Sequence, residues 1–251
     1  MWKIKEIRKV KMEKPILIVG LPGIGNVGKI AADILIDEVK AEKILDFFSY
    51  TLPNSVFVNE DNLIDLPKIE IYHKKIKKQD YLFLAGDVQP TVEEASYAFA
   101  EKILDYLETF PKAKILTLGG IGLPELPKMP KVYCTGNVKS AVAEYKNCGV
   151  HTKIYGVVGP IIGISGLLLG LGKKRNIPAA TLLAETYGHP VYIGLPGARA
   201  ILNVLNKRFA FNIILTELDN EIKNFERNLH HAKNQPIVKK YLKYKDTSYI
   251  G

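Results

Sequence analysis

Blocks of apolar residues separated by polar turns predict a layered α/β fold. Residues 15–19 and 81–85 are short apolar runs rich in branched side chains, as in buried parallel strands that helices cover on both faces. Residues 27–39 and 95–107 instead repeat apolar side chains at helical spacing. Strands and helices alternate along the chain, which predicts a three-layer α/β/α sandwich around a mostly parallel central sheet.

Three stretches modify this alternation. Residues 55–78 alternate apolar and polar positions, which is typical of half-exposed strands and predicts an antiparallel insert in the sheet. Residues 1–14 predict an edge strand protected by lysine, and residues 153–158 predict a further strand. The helix predicted over residues 161–171 is almost wholly apolar, so we expect it to be buried on all sides or against a second copy of the chain.

Local signals mark where helices begin and where the domain ends. Thr91 and Glu94 form the T-x-x-E pattern of a capping box, and Pro196 suits the first turn of a later helix. Residues 234–251 are basic and rich in tyrosine, and they lack an apolar face long enough to pack. We therefore expect a single α/β domain over residues 1–233, followed by a flexible basic tail over residues 234–251.

The turn between the first buried strand and the first long helix is rich in glycine. Gly23, Gly25 and Gly28 match the pattern G-x-G-x-x-G in the strand–turn–helix context that it requires. Under one interpretation this turn, together with Asn26, holds a phosphate or a dinucleotide at the helix N-terminus. Under the other, the glycines let the helix pack closely on the sheet. We favour packing because an isolated match to this pattern is often accidental.

Two acidic residues, Asp87 and Glu185, follow buried strands at their presumed carboxyl ends. Ligands bind at these ends in open α/β sheets, and a pair of carboxylates there would bind a metal or act as acid and base. Helix capping and loop ordering explain the two residues equally well. No complete set of nucleophile, base or metal ligands occurs elsewhere, so we predict no catalytic residues, no metal site and no cofactor.

Composition narrows the classes of partner. The net charge is +9, but the lysines lie at element ends and turns without the interleaved aromatic residues of a nucleic-acid surface, so we predict no nucleic-acid partner. No apolar run is long enough for a membrane span, and residues 1–6 lack the apolar core of a signal peptide. Cys134 and Cys148 have no metal-binding spacing, and we expect buried free thiols in the cytoplasm.

Five short segments, most of them containing glycine, together resemble the archaeal proteasome assembly chaperone family. The first is the turn Gly20–Gly28 with the alanine-rich helix that follows it. The others are Gly86–Pro90, Gly119–Gly122, Gly159–Leu169 and Leu182–Thr186. This resemblance covers about residues 10–233.

The resemblance implies a fold similar to purine nucleoside phosphorylases, without their active-site residues. It also implies a homo-oligomer that binds proteasome α-subunits and helps the α-ring to form. We therefore expect a non-enzymatic homo-oligomeric chaperone of 20S proteasome assembly. The alternative is a nucleotide- or small-molecule-binding enzyme, ligase- or phosphorylase-like, that uses the Gly23–Gly28 turn with Asp87 or Glu185.

The same family draws attention to the C-terminus. Proteasome activators and some assembly factors end in a hydrophobic residue, a tyrosine and any residue, and this tail docks between α-subunits. This chain ends in Ser248, Tyr249, Ile250 and Gly251. Its tyrosine is third from last instead of penultimate, and Ser248 is not hydrophobic. The resemblance implies that Tyr249, Ile250 and Gly251 contact the partner.

Overall fold

The computed structural model describes residues 2–154, 156 and 159–233. The strands are β1 (Lys3–Glu6), β2 (Ile16–Gly20), β3 (Glu42–Phe48), β4 (Phe57–Val58), β5 (Ile64–Asp65), β6 (Ile69–Ile76), β7 (Gln79–Gly86), β8 (Lys114–Leu123), β9 (Val132–Gly136) and β10 (Ala179–Tyr187). The α-helices are α1 (Val27–Val39), α2 (Glu93–Glu108), α3 (Lys139–Ala143), α4 (Ile164–Lys174), α5 (Leu195–Phe209) and α6 (Thr216–Lys233).

The chain divides into two compact units. The first is the α/β body, which ends at Ile213, and the second begins at Ile214 and has α6 as its described part. Helix α6 starts with an acidic first turn that contains Glu217 and Asp219, where negative charge is favourable at a helix N-terminus. No helix in the described part of the chain has both the length and the apolar character needed to cross a membrane.

Eight strands form one large sheet in the order β1-β3-β6-β7-β2-β8-β10-β9. The four strands β7, β2, β8 and β10 form a parallel block at its centre. The outer strands β1, β3, β6 and β9 form antiparallel pairs, and β4 pairs with β5 in a separate two-stranded hairpin. The predicted mixed α/β fold with a mostly parallel central sheet is confirmed, and β6 supplies the antiparallel insert.

Helices cover both faces of the large sheet. On one face, Leu17 and Val19 of β2 share a core with Phe99 of α2 and Leu168 of α4. On the other face, α1 packs against α5 and against β2, β7 and β8. Because successive side chains of a strand point to opposite faces, Ile18 contributes to this second layer and is fully buried.

Two glycines set the distance between α1 and the sheet. A Cβ atom at Gly28 would lie 2.2 Å from the carbonyl oxygen of Leu118 in β8. A Cβ atom at Gly20 would lie 2.2 Å from the carbonyl oxygen of Gly28 and 2.3 Å from Cβ of Ala32. Real Cβ atoms do not approach other atoms so closely. The backbone of α1 therefore touches the end of β2 and the middle of β8 directly, which supports the packing interpretation of these glycines.

The start of α2 differs from the sequence prediction. The helix begins at Glu93 with Val92 as its N-cap, and no side chain caps it, so the predicted capping box of Thr91 and Glu94 is wrong. Glu93 and Glu94 instead place two negative charges in the first turn, where the helix dipole favours them. Pro196 lies in the first turn of α5, as predicted.

The strand predicted over residues 153–158 needs correction, since residues 153 and 154 form no strand, while residues 155, 157 and 158 lie outside the described residues. Within a single chain, α4 is buried along one side, with Lys173 and Lys174 exposed at its end, and burial of its other side against a second copy stays a prediction. Cys134 and Cys148 are buried free thiols, as predicted. Burial raises the pKa of Cys134 to about 12, and this sulfur therefore stays a neutral thiol.

The close approach at Gly28 predicts a specific stability effect. Gly28→Ala should lower the free energy of unfolding by about 1–3 kcal/mol, because overpacking outweighs the helix propensity of ~1 kcal/mol that alanine adds. Gly23→Ala is the matched control, since a Cβ atom there has no neighbour within 4 Å and the backbone is extended. Denaturant unfolding measures both variants. Equal stability of Gly28→Ala and the parent chain would contradict the packing account.

Candidate functional site

A cleft of about 480 Å³ opens at the carboxyl edge of the parallel strands. One wall is the turn at residues 21–24, which follows β2, and another is the end of β8 at residues 118–122. Residues 159–162 form the third wall and lead into α4. The cleft lies beside the point where α1 leaves β2 towards one face and α2 leaves β7 towards the other. Open α/β sheets bind ligands at such a switch point.

The glycine turn is held by the body of the protein. Residues Ile24–Asn26 form a 3₁₀ turn in which Gly25 has a φ angle of 61° and Asn26 one of 51°. The amide of Gly194 donates a hydrogen bond of 2.7 Å to the carbonyl oxygen of Gly25. A Cβ atom at Gly25 would lie 2.8 Å from Oγ1 of Thr186. Gly25 is therefore required both for its left-handed backbone and for its contact with the end of β10.

The predicted ligand residues of this turn separate into two groups. Gly23 and Gly28 line the cleft, and Gly23 is exposed with open space beside it. Gly25 and Asn26 are not among the residues that line it. The turn therefore offers backbone at the cleft wall, while Gly25 makes the contact with β10 and the start of α5.

Asp87 and Glu185 occur where the sequence predicts them, but both already have partners. Oδ2 of Asp87 accepts a hydrogen bond of 3.1 Å from the amide of Lys68, and the Asp87 amide donates to the Lys68 carbonyl. Oε2 of Glu185 accepts a hydrogen bond of 3.0 Å from the amide of Lys131, and Oε1 accepts one of 2.9 Å from the hydroxyl of Tyr133. Each carboxylate fastens a neighbouring antiparallel strand, and neither lines the cleft.

Asp87 borders a second, more polar depression of about 310 Å³ that also contains Asp33, Asp37, Lys29 and Lys68. Burial raises the pKa of Asp33, although the hydrogen bond from Lys29 opposes this shift. Among the described residues, no cluster of histidine, cysteine, aspartate and glutamate is arranged to hold a metal ion. Nζ of Lys29 pairs with Asp33 at 2.7 Å, while Nζ of Lys68 pairs with Asp65, which does not line the depression.

Gln89 is a site residue that we did not single out from the sequence. Its Nε2 donates a hydrogen bond of 2.7 Å to the carbonyl oxygen of Pro22, and its Oε1 accepts one of 3.3 Å from the amide of Ile164. The side chain thus joins the glycine turn to the start of α4. The nearby Gly163 has a φ angle of 83°, and a Cβ atom there would lie 2.6 Å from Oε1 of Gln89.

The chemistry of the cleft is mainly apolar. Its side chains include Leu118, Ile161, Ile162 and Leu183, and no charged residue is among the described residues that line it. Two polar side chains are among the described residues that line the cleft. The amide of Gln89 is already hydrogen-bonded, which leaves the hydroxyl of Ser165. The cleft is suited to burying apolar groups and to contacting backbone, and it lacks an acid, a base and a nucleophile–base pair.

Apolar side chains also surround the cleft on the outside. Because β2, β3, β7, β8 and β10 all end at this edge, the segments that follow them share one end of the body. Most of the large apolar side chains that are exposed in the described residues belong to these segments or to the turn before α4: Ile24, Tyr50, Val56, Phe57, Val58, Leu63, Ile64, Leu66, Val92, Leu126, Met129, Ile162, Val191 and Ile193. We call this surface the apolar edge. Apolar patches of this kind mark interaction sites.

The three predicted partner-binding residues of the tail are not tested by the structure. Tyr249, Ile250 and Gly251 lie outside the described residues.

Comparison with known proteins identifies relatives along nearly the whole chain. The model of the PAC2 family matches residues 17–233. The protein MJ1210 of Methanocaldococcus jannaschii is 33% identical over 238 residues, which cover 93% of this chain and 90% of the relative.

Two solved structures from Pyrococcus furiosus share the fold. PbaB, described as an archaeal proteasome activator, has a TM-score of 0.85 and 31% identity, with 93% of this chain and 99% of that chain covered. PbaA, described as an archaeal homolog of proteasome-assembly chaperone, has a TM-score of 0.74 and 25% identity, with 92% of each chain covered. These findings confirm the resemblance carried by the five short segments, and the chain belongs to the PAC2 family.

Proposed function

We propose that this protein is a non-enzymatic, homo-oligomeric chaperone that binds proteasome α-subunits and assists 20S proteasome assembly. The observation that carries the proposal is the similarity to PbaB and PbaA over more than nine-tenths of the chain. We place the protein in the cytoplasm with its target, and we keep the phosphorylase-like form of the fold as part of this proposal.

The side chains of the body support a binding role. Asp87 and Glu185 are engaged in strand pairing, and Gln89 is engaged in joining two loops. None of the described residues that line the cleft can act as a general acid or base on a ligand. An enzyme would need such groups to stabilise a transition state.

The apolar edge supports self-association. The hairpin of β4 and β5 exposes Phe57, Val58, Leu63 and Ile64, although an isolated two-stranded hairpin is only marginally stable in water. If a second copy of the chain covered these apolar side chains, the contact would stabilise the hairpin and remove the apolar edge from solvent.

The alternative function is a small-molecule-binding enzyme that uses the Gly23–Gly28 turn. It is favoured by the position of the cleft at the switch point and by Gly23 and Gly28 in its wall. Asp87 and Glu185 would have to give up their present partners to take part. A saturable rise in melting temperature with ATP or NAD, abolished by Gly23→Leu, would support this alternative.

From the exposed side chains of the hairpin of β4 and β5 we predict that the protein self-associates through this hairpin. Light scattering at micromolar concentration should give a multiple of the chain mass of 28.0 kDa. Val58 and Ile64 face each other across the hairpin and are 70% and 68% exposed, so the double variant Val58→Lys, Ile64→Lys should shift the mass towards the monomer. The control is Ile4→Lys, Ile7→Lys, which changes two exposed isoleucines of the β1 region. A monomeric parent chain would contradict self-association, and an unaffected hairpin variant would contradict this interface.

We predict that the C-terminal residues of the chain hold the proteasome α-subunit. A tyrosine close to a chain-terminal carboxylate suits a pocket that pairs the carboxylate with a lysine or with backbone amides. Removing Asp246–Gly251 should leave folding intact and weaken α-subunit binding at least tenfold, which is roughly 1.4 kcal/mol. Tyr249→Ala should reproduce most of this loss, and Tyr244→Ala serves as the control. If the truncated chain bound α-subunits as tightly as the full chain, the contact would have to lie on the α/β body.

A further inference from the structure

A second pocket lies at the opposite edge of the sheet, where the parallel strands begin. It has a volume of about 370 Å³. Lys14 precedes β2, Gln79 begins β7 and Lys114 begins β8, while Arg208 reaches the pocket from the last turn of α5. Lys112, just before β8, completes the set of cations. We call this site the basic pocket.

The basic pocket carries an excess of positive charge. Lys114 and Arg208 share one carboxylate, since the two oxygens of Glu144 lie 2.5 Å from Nζ of Lys114 and 2.5 Å from Nη2 of Arg208. Burial raises the pKa of Glu144, but these two hydrogen bonds outweigh burial, and the pKa is lowered overall. Lys14 and Lys112 form no salt bridge with the described residues. One charged carboxylate therefore faces four cations.

Two residues that line the pocket, Tyr81 and Arg208, each carry a hydrogen-bond donor without a partner among the described residues. Tyr81 is 5% exposed and packs edge-on against Phe209 and Phe211, and its hydroxyl makes no hydrogen bond with the described residues. Burial raises the pKa of Tyr81, although Arg208 opposes this, so the hydroxyl stays protonated. Nε of Arg208 is also buried and unpaired. The Tyr81 hydroxyl is accessible and can donate to an anion in the pocket, whereas the buried Nε of Arg208 lacks an acceptor, which is destabilising.

We propose that the basic pocket binds a small dianion of the phosphate class, either inorganic phosphate or a phosphate monoester. Two unpaired lysines match its two charges, and the tyrosine hydroxyl and the arginine can donate to its oxygens. The volume lies in the range of small-ligand sites. This site is separate from the cleft at the carboxyl edge, and it does not depend on the proposed role in proteasome assembly.

Isothermal titration calorimetry with inorganic phosphate at constant ionic strength tests this site. The full chain should bind phosphate saturably with one site per chain, and acetate, a monoanion, should bind at least tenfold more weakly. Lys112→Gln should weaken phosphate binding about tenfold, the loss expected for one charge-assisted hydrogen bond. Tyr81→Phe keeps the aromatic packing and should also weaken binding.

Lys128→Gln is the matched control, because Lys128 is exposed on the loop after β8 at the opposite edge. It should leave phosphate binding unchanged. Lys14→Gln provides a second test if Lys112→Gln fails to fold, as judged by circular dichroism. No saturable heat with phosphate, or an equal loss in Lys128→Gln and the pocket variants, would overturn the site. Binding of an acidic peptide without binding of phosphate would overturn it as well.

Discussion

The direct contact of the α1 backbone with the end of β2 and the middle of β8 is the constraint on which the rest of the body depends. It requires glycine at positions 20 and 28, since a side chain at either would overlap backbone atoms. Once α1 is seated, the turn before it is pressed against β10 and the start of α5, where the Gly194 amide bonds to Gly25. The cleft is the space that this arrangement leaves on the other side of the turn. Packing thus explains Gly20, Gly25 and Gly28 of the turn, and of these glycines Gly28 also lines the cleft, as does Gly23.

The two edges of the sheet have different surface chemistry. The carboxyl edge collects exposed apolar side chains from several loops and from the hairpin of β4 and β5. The amino edge collects lysine and arginine around Tyr81. The apolar edge and the basic pocket are therefore separated by the length of the strands, and both can be occupied at the same time.

The sequence predicts the centre of the fold well and its contacts at long range poorly. Apolar runs such as residues 81–85 identify central strands because burial on both faces demands them. Asp87 and Glu185 are correctly placed at strand ends, but their partners, the amides of Lys68 and Lys131, come from other segments and leave no local pattern. The cations of the basic pocket are likewise scattered along the chain and meet only because parallel strands begin at one edge. The glycine turn allowed two interpretations for the same reason, since nothing local shows that Leu118 lies opposite Gly28.

The most direct test of the account is to mix the purified full-length protein with isolated proteasome α-subunits and to follow the mixture by native mass spectrometry. The account predicts a complex that contains both proteins and a faster appearance of α-rings than in α-subunits alone. The hairpin double variant and the tail-truncated chain show which surface carries the effect. Absence of any complex, together with an unchanged rate of ring formation, would contradict the role in proteasome assembly.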